Sequence, residues 1–250
     1  MLELSKGLIE RRIREFVGHG NLDSVVWFVG IEEGRGNDTI EQLNKRLHAS
    51  DGKQTMDIQE LDLLSHRQWF KENPPIQRTW RIPIRTLLVL EEKQADNNAI
   101  KEFQRKLWAR ADANHGMFEL FPLPCRSTRN AAWPYGIFAR DEETQYLASR
   151  QAYMKKVAPE RIKLFKTLIA EYKPKLVIFY AKSKKYRKCW QEIVGNPLEP
   201  RKICDSDELF VSNNGTTKFI VIPHPVARGI SRERWNHIIN FIKEYFTQGR

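Results

Sequence analysis

The stretch F-I-V-I-P-H-P-V-A-R-G-I-S-R-E-R-W, residues 219–235, constrains the fold more than any other part of the chain. Four apolar residues, Phe219 to Ile222, read as a buried strand, and Pro223-His224-Pro225 stops it. A short loop with Arg228 and Gly229 leads to Ser231, a helix-capping residue, followed by Trp235, Ile238, Ile239, Ile242 and Phe246 at helical spacing. A histidine is thus fixed between two prolines where a parallel strand ends, just before a helix begins. In open α/β sheets that is where ligands bind, and the prolines restrict the backbone and so aim the imidazole. The competing reading is a structural histidine in a tight turn.

The rest of the chain supplies partners for that strand. Residues 4–17 read as an amphipathic helix ended by Gly18–Gly20, and Asp23 to Val29 is nearly continuous apolar, as a central parallel strand should be. It runs into G-I-E-E-G-R-G, residues 30–36, and Asn37 caps a helix with Ile40, Leu43 and Leu47 on one face. Strand, glycine-rich turn and helix make a ligand-binding corner that favours an anion, although the glycine spacing is neither a P-loop nor G-x-G-x-x-G. Residues 49–113 read as a helical insertion, with helices marked by Ile58, Leu61 and Leu64, by Ile84 to Leu90, and by Ile100, Phe103 and Leu107, and a break at Pro74-Pro75. Its segment Q-R-T-W-R-I-P-I-R, residues 77–85, either lines a nucleic-acid groove or starts a helix with Pro83 in its first turn.

Gly116 to Leu123 reads as a second strand with Glu119 inside its apolar run. A buried carboxylate there is expensive and implies a task; at a solvated strand end it implies none. Cys125, Arg126, Arg129 and Asn130 follow in a loop. Two helices, over residues 141–156 and from Pro159 on, precede a third strand, Lys175 to Tyr180. Ser183 then caps a helix carrying Tyr186, Trp190 and Ile193. Leu209 to Ser212, Asn213-Asn214-Gly215 and Thr217 to Ile222 read as a hairpin. The order predicts one α/β domain over residues 1–250, a three-layer α/β/α sandwich with a four-stranded, mainly parallel sheet. Its strand ends gather Glu32, Glu33, Glu119, Lys182, Ser183 and His224 at one edge.

The chain carries 42 Lys plus Arg against 31 Asp plus Glu, a net charge of +11. Residues 150–188 alone hold thirteen Lys or Arg and two Glu, which accounts for the whole excess. Such a field attracts polyanions, nucleic acid first and anionic membrane second; solvated helix faces are the plainer explanation. No apolar run approaches the roughly 18 residues of a membrane span, and the N-terminus lacks the apolar core of a signal peptide. Three cysteines, Cys125, Cys189 and Cys204, without a C-x-x-C, fit a reducing cytoplasm and provide no four-cysteine metal or iron–sulfur site. The expectation is a cytoplasmic monomer with no cofactor and no metal.

Three short segments resemble the uracil-DNA glycosylase superfamily. G-I-E-E-G at 30–34 resembles the G-x-N-P-G, G-Q-D-P-Y and G-E-A-P-G motifs after that family's first strand. E-L-F-P-L at 119–123 resembles the N-Y-C-P-L of the single-strand-selective branch, and I-P-H-P at 222–225 resembles the H-P-S segment. The resemblance implies cleavage of the N-glycosidic bond of a nucleotide flipped out of DNA. It puts Glu32, with Gly30 before it, at the water-positioning carboxylate, and Glu33 is the neighbouring alternative. It puts His224, between Pro223 and Pro225, at the donor to the leaving base. Glu119, Gly34, Gly36 and Phe121 fall at the base pocket, Arg228 or Ile230 at the wedge, and Ser231, Arg232, Lys182, Ser183, Lys184 and Lys185 at the DNA phosphates.

The departures from the family point to a substrate. Glu119 stands where the family reads uracil with Asn. A carboxylate accepts from the N4 amino group of cytosine, whereas a protonated Glu119 imitates Asn and reads uracil. Gly34 and Gly36 stand where relatives place a Tyr or a stacking Phe, which leaves room for a substituent at C5. The expected function is therefore a DNA glycosylase for a 5-substituted cytosine, such as the glucosylated hydroxymethylcytosine of phage DNA, with an anti-phage role following from that substrate. The alternatives are a repair glycosylase for uracil or another deaminated base, a catalytically silent DNA-binding module of the same fold, and a nucleotide-binding regulator.

Overall fold

The computed structural model describes residues 5–34, 38–61, 67–125, 133–204 and 207–248. The strands are β1 (Gly18–Gly20), β2 (Val26–Gly34), β3 (Thr55–Met56), β4 (His115–Cys125), β5 (Leu176–Tyr180), β6 (Glu199–Cys204), β7 (Asp207–Asn213) and β8 (Lys218–Ile222). The α-helices are α1 (Lys6–Glu15), α2 (Ile40–Ala49), α3 (Arg81–Leu90), α4 (Asn97–Lys106), α5 (Arg150–Tyr172), α6 (Lys184–Val194) and α7 (Arg232–Thr247).

The protein is α/β, with a mixed sheet of eight strands among the described residues, in the order β3-β1-β4-β2-β5-β8-β7-β6. This corrects the expected four strands. The β4-β2-β5-β8 pairings are parallel. On one side β1 adds antiparallel to β4 and β3 parallel to β1; on the other β7 and β6 add antiparallel. β7 is the expected first arm of the hairpin with β8, whereas β1 and β6 escape a search for apolar runs for physical reasons. β1 is Gly-His-Gly, and a Cβ on Gly18 would stand 2.3 Å from the Met117 carbonyl oxygen, so only glycine lets this edge approach β4. β6 is E-P-R-K-I-C, a largely exposed edge strand with the charge and proline that edges favour.

Helices cover both faces. Leu8, Ile9 and Ile13 of α1, Leu43 and Leu47 of α2, and the apolar residues of α5 and α6 pack with Trp27, Val29, Phe118 and Val177 on one side. Residues of α3, α4 and α7 pack with Val26, Phe28, Ile178 and Ile220 on the other. The insertion is less helical than its spacing predicts: Ile58–Leu61 is a 3-10 turn, and β3 lies within the segment. The two helices expected around Pro159 are one 23-residue helix, α5, with Pro159 inside it. Thr39 caps α2 with a full capping box; the expected cap Asn37 lies outside the described residues. No helix among the described residues is long and apolar enough to cross a membrane.

Candidate active site

Four parallel strands end on one edge, and the site is built there. β2 does not stop at Val29 but continues through Gly34, paired with β4 as Gly30↔Glu119, Glu32↔Phe121 and Gly34↔Cys125, with an irregularity after Glu32. Residues 30–34 of the stretch expected as a glycine-rich turn are therefore strand; its last two residues lie outside the described residues. A Cβ on Gly30 would lie 2.6 Å from Glu119 Oε2 and 3.4 Å from Tyr180 Cδ2. The glycine is what lets the Glu119 side chain lie across β2 toward β5.

A cavity of about 500 Å³ opens at this edge, and Glu32, Glu33, Gly34, Glu119 and His224 line it. The strand ends thus bring together the carboxylates, the glycine and the histidine singled out from the sequence. Gln77, Thr79 and Trp80 of the insertion form a further wall, with Met117, Cys125 and Val226. The volume lies within the roughly 300–1,000 Å³ of pockets that hold drug-sized ligands. A Cβ on Gly34 would meet nothing within 4 Å among the described residues.

The two adjacent glutamates are held differently. Glu33 is clamped in a buried network. Arg12 Nη2 lies 3.0 Å from one of its oxygens, Arg46 contacts the other, and His19 Nε2 is 3.9 Å away. Arg46 also pairs with Asp38, and Arg12 donates to the Pro122 carbonyl at 2.8 Å. A carboxylate neutralised by two arginines is a structural anchor for β2, α1 and α2, and this removes Glu33 as a candidate proton acceptor. Among the described residues Glu32 forms an ion pair with Arg150. Arg150 Nε donates to its two oxygens at 2.8 and 3.2 Å, and Arg150 Nη2 donates to Tyr186 Oη at 3.2 Å. Burial pushes the Glu32 carboxyl above its ordinary value, and the hydrogen bond and charge of Arg150, with Lys185 beyond, pull it part of the way back. A buried carboxylate held upward in this way suits proton acceptance near neutral pH.

Glu119 is buried, and its Oε2 has no hydrogen-bond partner among the described residues. Burial, then the charges of Glu33 and Glu32, drive its carboxyl well above the usual range. This favours its neutral form, which offers one O–H donor and one carbonyl acceptor. The Tyr180 hydroxyl is likewise buried and unpaired, and its ring stands edge-on to His224 with centroids 6.2 Å apart. His224 accepts a hydrogen bond at Nδ1 from the Val226 amide, 3.3 Å away, while burial lowers its pKa. Its neutral ring thus carries the proton on Nε2, a donor on the wall of the cavity.

Other expectations are placed elsewhere. Phe121 is a core residue, edge-on to Tyr153, and does not line the cavity; the strand irregularity after Glu32 accompanies its turn into the core. Gly36, with Arg126, Arg129 and Asn130, lies outside the described residues. Ser231 caps α7, accepting from the Arg234 amide at 3.2 Å. Arg228 is exposed, and Ile230 is half-buried against the face formed by α3, α4 and α7. Lys184 and Lys185 are exposed at the start of α6, where Ser183 is the N-cap without a side-chain bond, and Lys182 donates to the Glu208 carbonyl at 3.2 Å.

The basic segment 150–188 is not wholly a surface field. Arg150 is bound to Glu32, and the buried Arg161 donates to the carbonyls of Leu120, Ile13 and Glu119 at 2.9 to 3.1 Å. Gln77, Thr79 and Trp80 belong to the segment 77–85 expected to line a nucleic-acid groove or to start a helix, and α3 does start at Arg81 with Pro83 in its first turn; Arg12, Arg46 and Arg150 were not singled out for the site. A signal for two of these arginines existed: Arg12 and Arg46 sit on the apolar faces of α1 and α2, four residues after Leu8 and three after Leu43, where a cation needs a buried anion. No protein-family model matches the chain, and no curated protein matches it significantly.

Proposed function

We propose that the chain is a monofunctional DNA glycosylase that hydrolyses the N-glycosidic bond of a flipped base and leaves an abasic site. One observation carries this: Glu32, Glu119 and His224 line a single cavity of about 500 Å³ at the C-terminal edge of the parallel strands. The parallel strands β4-β2-β5-β8 with helices on both faces are, on this reading, the core of a uracil-DNA-glycosylase-like sandwich.

Each residue has a step. Water adds to C1′ as the C1′–N bond breaks, and the bonding pair leaves with the base. Glu32 orients the water, opposes the positive charge on the sugar and takes up a proton. For a pyrimidine the negative charge grows at O2, where the Nε2–H of a neutral His224 donates. Neutral Glu119 meets the Watson–Crick edge. For cytosine its carbonyl accepts from N4–H and its hydroxyl donates to N3; for uracil the hydroxyl donates to O4 and the carbonyl accepts from N3–H. The second pattern keeps uracil as an alternative substrate. The space at Gly34 among the described residues favours a base bulky at C5, so the preferred substrate is a 5-substituted cytosine such as glucosylated hydroxymethylcytosine. Excision from fully modified phage DNA would leave abasic sites throughout and give defence.

The test is release of alkali-labile sites from DNAs carrying uracil, cytosine, hydroxymethylcytosine or its glucosylated form, with Glu32→Ala as the control. Cleavage of the glucosylated DNA, abolished in the variant while binding persists, is the expected result. Cleavage of uracil DNA alone would transfer the assignment to a repair enzyme. Binding without cleavage of any DNA would make the chain a silent module.

A further inference from the structure

We propose that the groove lined by Arg78, Arg81, Arg85 and Arg232 is a phosphodiester track that holds the DNA strand beside the base cavity. The identity of the polyanion rests on the glycosylase reading above. The groove, about 400 Å³, lies between α3 and the segment that follows His224, with Val226, Ile230 and Trp235 among its apolar residues.

Three observations carry the inference. First, the groove and the base cavity share a wall. Along residues 77–81 the side chains divide: Gln77 and Thr79 line the cavity, Arg78 and Arg81 line the groove. Val226 lines both and is 39% exposed, an apolar ridge between them. A nucleotide whose base enters the cavity across that ridge would place its sugar and phosphates over the arginine groove.

Second, the charge there is uncompensated. Among the described residues no carboxylate forms an ion pair with any of the four arginines. Arg81 and Arg85 are held instead by neutral amides, donating to Asn97 Oδ1 at 2.8 Å and Asn236 Oδ1 at 2.6 Å. Asp96 stands in the adjoining pocket with Arg81, Arg85 and Arg232, but its carboxylate accepts from the Ala99 amide and from Gln94. Burial and then the charges of Arg232 and Arg81 lower the Arg85 pKa, which is the mark of cations crowded without an anion. Third, the residue type is apt. Guanidinium forks fixed by a second hydrogen bond are preorganised for the two oxygens of a phosphodiester.

The test measures binding of an unmodified duplex by fluorescence anisotropy from about 50 to 200 mM salt, alongside base release. Each phosphate contact adds about 0.9 to the slope of log affinity against log salt. Arg78→Gln/Arg232→Gln breaks no protein hydrogen bond among the described residues and decides the question. It should lower the slope by about 2 and shrink the 50-to-200 mM affinity ratio roughly tenfold. Arg81→Gln/Arg85→Gln should do the same, with an unfolding midpoint measured beside it, and Arg81→Lys/Arg85→Lys should keep the wild-type slope. An unchanged slope in both Gln pairs, with wild-type protein that binds and excises, overturns the track and leaves the glycosylase reading standing. A lowered slope in protein that releases no base keeps the track and removes the glycosylase. Absence of any duplex binding by the wild type overturns both.

Discussion

Replacing Arg150 with Met removes the cationic partner of Glu32 and makes the charge state of that carboxyl visible as stability. The pair is nearly enclosed, with 7% of the Arg150 side chain and 12% of the Glu32 side chain exposed. Stranding a buried charge costs about 3–5 kcal/mol. Glu32 has an escape, because it can bind a proton. Holding a carboxyl with an intrinsic pKa of about 4.3 neutral costs about 1.4 kcal/mol per pH unit above that value, roughly 3.5 kcal/mol at pH 7 and 1 kcal/mol at pH 5. Protonation therefore caps the penalty, and the cap moves with pH.

The sign follows from proton counts. In the variant the folded state keeps the Glu32 proton at pH values where the unfolded chain has lost it. The folded state binds more protons, so its stability falls as pH rises. The destabilisation of Arg150→Met relative to wild type should grow between pH 5 and pH 7 by at most about 2.5 kcal/mol, less by whatever the raised Glu32 pKa of the wild type already draws over that window. Urea unfolding followed by tryptophan fluorescence at pH 5, 6 and 7 reads it. In the Glu32→Gln background the same substitution should show a pH-independent penalty. Base release by Arg150→Met should be lost at pH 7, because a protonated Glu32 cannot take a proton from water. A penalty of equal size at pH 5 and pH 7 would refute the reasoning, since Glu32 would then not be the charge that Arg150 compensates.

Three further outcomes follow from the same geometry. Glu119→Gln keeps a neutral donor and acceptor and should retain base release within about tenfold, whereas Glu119→Ala should lose it by more than that. Because the Glu119 pKa is raised, the wild type loses stability as pH rises above the ordinary carboxyl value, and the Gln variant should flatten that limb in unfolding curves. Gly30→Ala places a Cβ 2.6 Å from Glu119 Oε2 and should cost about 1–3 kcal/mol, most of it recovered in Gly30→Ala/Glu119→Ala. His115, whose Nε2 accepts the Ala109 amide at 2.9 Å, is held by burial at a pKa of about 4. The unfolded chain takes up that proton near pH 6.5, so about 3 kcal/mol of stability should drain away between pH 6.5 and pH 4, a loss absent from His115→Gln in acid unfolding.

The parts of the fold legible in the sequence are those whose side chains obey one period. β5 and β8 are continuous apolar runs, as strands buried on both faces must be, and α7 declares itself through Ser231 and its apolar spacing. The parts that were not legible are held by other means. β1 is defined by what glycine omits, β6 by an edge that tolerates charge, and the end of β2 by its register against β4. Pro159 misleads in the opposite direction: the flanking turns and the packing of Tyr153, Met154, Ile162 and Phe165 carry α5 through a residue that sequence rules treat as a boundary.

The site was legible where a residue type is costly in its setting, and illegible where the cost is offset from a distance. Glu32, Glu119 and His224 stand out because a carboxylate in an apolar strand and a histidine between prolines need a reason. Their partners do not stand out, because arginine is common in a chain with 42 basic residues. The structure divides those cations by what they face. Arg12, Arg46, Arg150 and Arg161 point inward to carboxylates and carbonyls. Arg78, Arg81, Arg85 and Arg232 face a groove, and among the described residues no carboxylate forms an ion pair with them. Net charge alone cannot separate these roles, since both sets count equally toward +11. Of these two sets only the second faces a groove, and it lies not in the most basic segment of the sequence but in the insertion and the first turn of α7.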